Sequence, residues 1–340
     1  MVHESRASDP EHGSDQVLVL GGAGFIGTRF AALLRQKKLA FQIGDLQPSK
    51  AFPDAWTRCD VTDIQSLLQI MKSCSAIVNL AAEHRDDVRP VSRYYETNVV
   101  GATRVCEAAR AMAISKIVFT SSVAVYGFSS GPTAEDGPFN PFNPYGKTKL
   151  EAEGVYRTWA SEDASRTLVI VRPTVVFGEG NRGNVYNLLR QIASGRFLMV
   201  GSGSNIKSMA YVGNLAAFLR FSLSLGPGVH IFNYVDLPDM TTKELVNYVL
   251  HALGRPERMR AIPLPLAMTA GYLLDAISRI TGRRFPISAI RIRKFCESTQ
   301  FSAQKASKTG FVAPYSLCEG LDRTIRSEFS TNSKPNAAST

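Results

Sequence analysis

Tyr145 and Lys149 stand four residues apart in Tyr145-Gly146-Lys147-Thr148-Lys149. In a helix that spacing puts both side chains on one face. An ammonium beside a phenol stabilises the phenolate and lowers its pKa. A tyrosine so placed can serve as a general base toward a substrate hydroxyl near neutral pH. Ser121 and Ser122 follow an apolar run, Lys116–Thr120 (KIVFT). Hydroxyls at the carboxyl end of such a strand can hydrogen-bond a reacting oxygen. Alone, a Y-x-x-x-K pair reads as readily as two neighbours on a surface helix. A glycine cluster upstream changes its weight.

That cluster is Gly21-Gly22-Ala23-Gly24-Phe25-Ile26-Gly27. It satisfies G-x-G-x-x-G through Gly22, Gly24 and Gly27, and G-x-x-G-x-x-G through Gly21, Gly24 and Gly27. It follows the apolar run Gln16–Leu20 and opens the helically spaced stretch Phe25–Gln36. This strand–turn–helix context is what a dinucleotide-binding turn requires. The turn needs positive φ, the backbone must approach a pyrophosphate, and the helix N-terminus offers N–H groups to the anion. A glycine-rich turn with no ligand is the alternative. Asp45 ends the next apolar run, Phe41–Asp45. A carboxylate there accepts from the adenosine ribose hydroxyls and repels a 2′-phosphate, so the pattern predicts NAD rather than NADP. Lys50 weighs the other way, and a turn-initiating aspartate is the alternative reading of Asp45. Asp60, within Cys59–Asp63, reaches the adenine amine, or else Asp60 or Thr62 caps the helix at 64–71.

These residues need a frame to hold them. Short apolar runs at 16–20, 41–45, 76–80, 116–120 and 167–171 read as buried strands. Helical patterns lie between them at 25–36, 64–71, 98–113 and 145–160. Such alternation predicts a doubly wound parallel sheet, an α/β Rossmann-type fold. The expected division is a tail at 1–15, an NAD-binding domain over 16–180, a smaller C-terminal α/β substrate lobe over 181–326, and a tail over 327–340. Helices are expected at 184–195, 214–224 and 242–253, with a proline-punctuated connector near 256–265.

The chain has 340 residues, a net charge of +10 and 44% hydrophobic content. That composition excludes fibrous and wholly disordered classes. Five cysteines without C-x-x-C or a histidine cluster argue against a disulfide scaffold or a metal site. No signal peptide or membrane span is expected, so the predicted location is cytoplasmic. The charge is uneven. Residues 255–294 carry nine Arg and Lys against Glu257 and Asp275. Such a patch attracts nucleic acid, an anionic membrane surface or a phosphorylated small molecule, or is merely a solvated face. The apolar, arginine-flanked region 262–294 either forms the core of the small lobe, lines a greasy pocket or touches a membrane surface.

Together these segments resemble the extended short-chain dehydrogenase/reductases, in particular the NAD-dependent nucleotide-sugar epimerase/dehydratase family. The resemblance spans about residues 16–326 and rests on Gly21–Gly27, Asp45, Cys59-Asp60-Val61-Thr62-Asp63, Asn79-Leu80-Ala81-Ala82, Asn98-Val99-Val100-Gly101, Ser121-Ser122-Val123-Ala124-Val125-Tyr126-Gly127, Tyr145–Lys149 and Arg172-Pro173-Thr174-Val175-Val176-Phe177-Gly178. It implies that Ser122, Tyr145 and Lys149 are the catalytic set. It implies NAD as cofactor, held by Gly21, Gly24, Phe25, Ile26, Gly27, Asp45, Asp60, Val61, Leu80, Ala81, Ala82, Asn98, Tyr145, Lys149, Pro173 and Val176. Lys149 would also bind the nicotinamide ribose, and Asn98 would anchor the site. For a nucleotide-diphosphate sugar it implies Ser122 and Asn184, with Lys207 where the family has an arginine and Arg293 as a second basic contact. An ammonium at 207 neutralises phosphate without the guanidinium's two-pronged grip. For Arg293 an ordinary surface arginine is the equal alternative.

The dehydratase branch carries an acidic pair after the catalytic Ser or Thr. Here Val123 and Ala124 stand there, so no acid protonates a leaving hydroxide. What the resemblance then implies is C4 epimerisation of a UDP-hexose or UDP-N-acetylhexosamine through a 4-keto intermediate, in polysaccharide biosynthesis. The alternatives are a 4-keto-sugar reductase, a 3β-hydroxysteroid-dehydrogenase-like oxidoreductase, or a non-catalytic NAD sensor. The family also implies a homodimer through the helices at 98–113 and 145–160. It implies no nucleic-acid partner and no metal.

Overall fold

The computed structural model describes residues 16–85, 88–127, 131–257, 259–282 and 288–329. The tails expected at 1–15 and beyond 329 lie outside the described residues. Seven strands build the main sheet: β1 (Gln16–Leu20), β2 (Phe41–Asp45), β3 (Trp56–Arg58), β4 (Cys74–Asn79), β5 (Lys116–Thr120), β6 (Thr167–Pro173) and β10 (Gly228–Tyr234). Their order is β10-β6-β5-β4-β1-β2-β3. β1 pairs parallel with β2 and β4, β2 with β3, and β4 with β5. Every residue of β6 is buried. Successive strand residues point to opposite faces, so both faces of this strand are covered. The expected doubly wound parallel sheet is therefore present.

Two compact units share the chain. The first takes the described residues up to Phe119, with Glu151–Val169 and Ser222–His230. It contains α1 (Phe25–Gln36), α2 (Ile64–Met71), α3 (Ser92–Tyr95), α4 (Gly101–Ala111) and most of α5 (Pro144–Ser161). Chain order reverses at β1, which lies between β4 and β2. The crevice past the carboxyl ends of β1 and β4 is thus the switch point where open α/β sheets bind ligands. The π-helical turn Glu96–Val100 precedes α4, so the helix expected from 98 begins at Gly101 instead. The wider turn lets the buried Asn98 aim at the backbone of Glu83, as described below.

The second unit takes Thr120–Leu150, Ile170–Phe221 and the described residues from Ile231 onward. It has a three-stranded sheet, ordered β11-β9-β7, built from β7 (Val175–Phe177), β9 (Ile206–Tyr211) and β11 (Asp236–Thr241). β8 (Met199–Val200) pairs with β12 (Ala261–Ile262). Its helices are α6 (Asn184–Ala193), α7 (Val212–Ser222), α8 (Thr242–Ala252), α9 (Leu264–Thr281), α10 (Ala289–Cys296), α11 (Gln304–Ser307) and α12 (Leu317–Phe329). Its core gathers on Phe218, whose ring lies 5.4 Å from Phe232, 4.9 Å from Tyr234 and 5.1 Å from Phe311. α12 runs three residues past the boundary expected at 326, because Phe329 stacks on Tyr186 with ring centroids 5.6 Å apart.

One backbone position governs the switch point. Gly21 has φ +73°, and a Cβ on it would lie 2.6 Å from Ala81 N. The turn after β1 and the chain leaving β4 touch there. The left-handed conformation costs an L-residue about 1–2 kcal/mol, and the backbone clash adds to that. Gly21→Ala should lower stability by at least about 1–2 kcal/mol, read as a lower urea midpoint with an unchanged slope. An unchanged midpoint would show that the turn tolerates a side chain.

Candidate active site

The candidate reacting side chains begin where β5 ends. Ser121 N donates to Val171 O at 2.7 Å, which fixes the chain as it leaves the strand. Ser122 is extended (φ −164°, ψ 150°), and its Oγ accepts from Ala124 N at 3.1 Å, capping the short 3-10 turn Val123–Val125. α5 starts at Pro144, after Asn143. The Asn143 Oδ1 accepts from Gly146 N at 2.8 Å, and its carbonyl accepts from Lys147 N at 3.1 Å. Asparagine at the cap and proline in the first turn are a strong helix-start signal. That signal was legible as Asn143-Pro144, and sequence reasoning passed over it.

Gly146 brings the two pieces together. A Cβ on it would lie 2.5 Å from Ala124 O. Only a residue without a side chain lets the first turn of α5 sit so close to the turn that Ser122 caps. Tyr145 there hydrogen-bonds Ser122. Burial pushes the Tyr145 phenol up to about 12, while that hydrogen bond pulls it down. Lys149 is buried, and its Nζ donates to Thr120 O at 2.7 Å. The lowered phenol pKa expected from the Tyr–Lys spacing is therefore corrected. In this arrangement burial outweighs any help from the ammonium, whose hydrogen bond goes to the end of β5. The tyrosine is a protonated phenol at neutral pH. Its deprotonation needs further positive charge or a shift of Lys149 toward it.

The glycine turn and Asp45 are tied together. Asp45 Oδ2 accepts from Ala23 N at 3.0 Å and Oδ1 accepts from Gln47 N at 2.9 Å. Gly21 N also donates to Gly44 O at 2.8 Å. Asp45 does initiate a turn, and it also staples the glycine loop to β2. Each carboxylate oxygen keeps a further lone pair. Beside it lies a cavity of about 330 Å³ lined by Ala23, Thr28, Gln47, Pro48, Lys50 and Ala51. Gly24 caps α1 without a side chain, and no acid stands in the first turn of that helix. A helix end left open to anions, a carboxylate beside it and a cavity suit a dinucleotide.

Asp63 caps α2, accepting from Gln65 N at 3.0 Å. The alternative that gave this cap to Asp60 or Thr62 is thus corrected. Asp60 instead accepts from Thr62 N at 2.9 Å and from its hydroxyl at 2.8 Å. Asn98 Oδ1 accepts from Glu83 N at 2.9 Å, and its Nδ2 donates to Glu83 O at 3.1 Å. It clamps the segment that follows Leu80, Ala81 and Ala82. Asn79 Oδ1 accepts from Ala81 N at 2.9 Å. Val61 is buried, Pro173 ends β6, and Val176 pairs with Ala210.

Two of the expected substrate residues converge on Glu297. Lys207 Nζ donates to Glu297 O at 2.6 Å, and burial lowers its pKa. Arg293 is exposed and pairs with the Glu297 carboxylate at 3.0 Å. Nothing in the spacing of 207 and 293 foretold this shared anchor. Asn184 is the exposed first residue of α6, behind the uncapped Gly183.

Gly146→Ala should part Ser122 from Tyr145 and leave the NAD content unchanged. Misplacement of about 1 Å can cost on the order of 100-fold in rate. A kcat within twofold of the parent would refute the role given to this close approach.

A model of the NAD dependent epimerase/dehydratase family matches residues 17–233. The N-acetyl-alpha-D-glucosaminyl-diphospho-ditrans,octacis-undecaprenol 4-epimerase of Escherichia coli O157:H7 is 47% identical over 320 residues, covering 93% of this chain and 96% of that one. The 2-alkyl-3-oxoalkanoate reductase of Stenotrophomonas maltophilia is 30% identical, covering 91% and 98%. Among solved structures, MoeE5 in complex with UDP-glucose and NAD superposes with a TM-score of 0.70 at 25% identity, covering 92% of this chain and 97% of that one. With the glycine turn, the Ser122–Tyr145 pair and the buried Lys149 in place, the chain belongs to the NAD dependent epimerase/dehydratase family, an NAD-using enzyme of the extended short-chain dehydrogenase/reductase type.

Proposed function

We propose that the chain is a sugar-diphosphate 4-epimerase of glycan assembly, acting on an N-acetylhexosamine whose diphosphate is carried by a polyprenyl lipid. The 47% identity to the Escherichia coli undecaprenol-linked 4-epimerase, over nearly all of both chains, carries this reading. A UDP-sugar substrate is the second reading, favoured by the likeness to MoeE5 with UDP-glucose bound. Both substrates present the same sugar diphosphate to the protein and differ only beyond it.

Ser122 hydrogen-bonds the C4 oxygen and holds it beside Tyr145. Tyr145 takes the C4 hydroxyl proton as the C4–H bond is oxidised, and returns it when the opposite epimer forms. Bound NAD supplies the hydride acceptor and then the donor. The glycine turn, Asp45, Asp60 and the Leu80–Ala82 backbone hold the dinucleotide, and Lys149 holds its nicotinamide ribose while stabilising ionised Tyr145. Asn184, Lys207 and Arg293, all in the 181–326 region, bind the diphosphate. Val123 and Ala124 supply no acid for dehydration. A homodimer and a cytoplasmic location belong to the same proposal.

The purified protein should release close to one NAD per chain on denaturation, since an epimerase must keep its hydride carrier through each cycle. An empty protein would sink the epimerase reading, and one holding NADP would overturn the role given to Asp45. Incubation with the polyprenyl-diphospho-N-acetylglucosamine and with UDP-N-acetylglucosamine, followed by sugar analysis, separates the two carriers. Tyr145→Phe should cut kcat by about 10²- to 10⁴-fold. In Lys149→Met the phenol stays mostly protonated through the assay range, so the rate should climb about tenfold per pH unit without levelling. The parent enzyme should level off at lower pH. Equal pH profiles would remove Lys149 from the ionisation step.

A further inference from the structure

Among the described residues of 262–294, the large apolar side chains of α9 are not buried in the core of their unit. In α9 the packed side is Ala267 and Gly271, both buried; a Cβ on Gly271 would lie 2.9 Å from the Ala289 backbone of α10. The opposite side carries Leu266, Leu273, Ile277 and Ile280. Spacings of seven, four and three put these on one stripe of the helix. Leu266 is 64% exposed, Leu273 63% and Ile280 85%. Tyr272 flanks the stripe and Ile290 of α10 extends it, both exposed. Single exposed apolar residues are ordinary, but a contiguous stripe marks a surface that meets something.

The charge says what it meets. Arg279 in α9 and Arg291 in α10 are exposed, within a stretch of nine Arg and Lys against two acids. Asp275, the one acid in α9, is turned toward α10, where it accepts from Ala289 N at 3.0 Å. The stripe therefore carries no carboxylate of its own helix. Among the described residues no helix is long and apolar enough to cross a membrane. An apolar face on a basic segment, on a helix that does not span, is the pattern of a helix lying in the membrane interface.

We infer that the packed helices α9 and α10 dock this enzyme on an anionic bilayer surface, with Leu266, Leu273, Ile277 and Ile280 entering the headgroup boundary and Arg279 and Arg291 meeting lipid phosphates. The inference rests on the lipid-carrier reading of the substrate for its purpose, but its binding test does not. Lys207 is held by Glu297, immediately past the end of α10. The docking helices and a proposed diphosphate contact are thus consecutive in the fold, which suits a substrate whose diphosphate lies at the membrane surface.

The test is co-sedimentation of the full-length protein with vesicles of phosphatidylcholine alone and of phosphatidylcholine with one-quarter phosphatidylglycerol. The parent should pellet with the anionic vesicles and be released by high salt. Leu273→Glu/Ile280→Glu should bind at least tenfold more weakly. A second variant, Arg279→Glu/Arg291→Glu, should do the same without touching the apolar stripe, and thermal melts should show both folded. Both variants should turn over the lipid-linked sugar in detergent micelles like the parent, and lose turnover only when it is embedded in vesicles. A parent that stays in the supernatant with anionic vesicles would overturn the inference, as would unchanged binding by both variants. So would light scattering in which the stripe variant alone dissociates a parent dimer, because the face would then cover a second copy of the chain. Vesicle binding without any turnover of the lipid-linked sugar would instead overturn the substrate reading and leave the docking surface standing.

Discussion

Much of the chemistry hangs on the carboxyl end of β5. Thr120 O receives the Lys149 ammonium at 2.7 Å, Ser121 N is held by Val171 O at 2.7 Å, and Ser122 caps the turn that follows. α5 is seated against that turn by the missing Cβ of Gly146, and its start is set by Asn143. The three proposed catalytic side chains are thereby referred to one buried strand end. Rigid elements position such groups more closely than loops can. Below this, Arg172 is fully buried on β6, with Nη1 2.5 Å from Tyr126 Oη and 3.0 Å from Glu135 O. Tyr126 Oη in turn donates to Asn233 Oδ1 at 2.8 Å. A buried guanidinium with several partners makes that support costly to disturb.

Asp45 holds a structural role and, in the proposed reading, a recognition role with it. A carboxylate that served the ribose alone would have to find its rotamer on binding. Here its two oxygens already accept Ala23 N and Gln47 N. The loop is therefore ordered before any ligand arrives, which lowers the entropic cost of binding. The geometry that makes the Asx turn also leaves a lone pair on each oxygen for the proposed dinucleotide contact.

What the sequence made legible follows from local physics. The glycine turn, the strand periodicity and the Tyr145–Lys149 spacing are short-range patterns, and the fold places each as expected. What it hid depends on distance. Whether Lys149 lowers the Tyr145 phenol depends on where Nζ points, and that is decided by Thr120, 29 residues away in the chain. The cap of α2 went to Asp63 rather than Asp60 or Thr62, because three neighbouring side chains compete for the same amides. The π turn that carries Asn98 has no distinct sequence period. Glu297, at the end of α10, acquires its importance only by receiving Lys207 from β9.

The stripe on α9 shows the limit of reading hydrophobicity as core. By composition, 262–294 fits a buried helix pair as well as an interfacial one, because apolar content does not say which solvent an apolar face meets. The decision comes from Gly271. Its close approach to Ala289 uses the small residues of α9 for packing and leaves the large ones outside. A helix evolved for a water-filled surface would put its large apolar residues on the packed side and its small or charged ones outward. α9 does the reverse. That inversion, with its one acid turned inward, is costly in water and favourable at a lipid boundary. The unusual burial pattern of one helix and the lipid-borne sugar diphosphate proposed from chain similarity thus meet in a single physical demand, a surface that is stable only where water gives way to lipid.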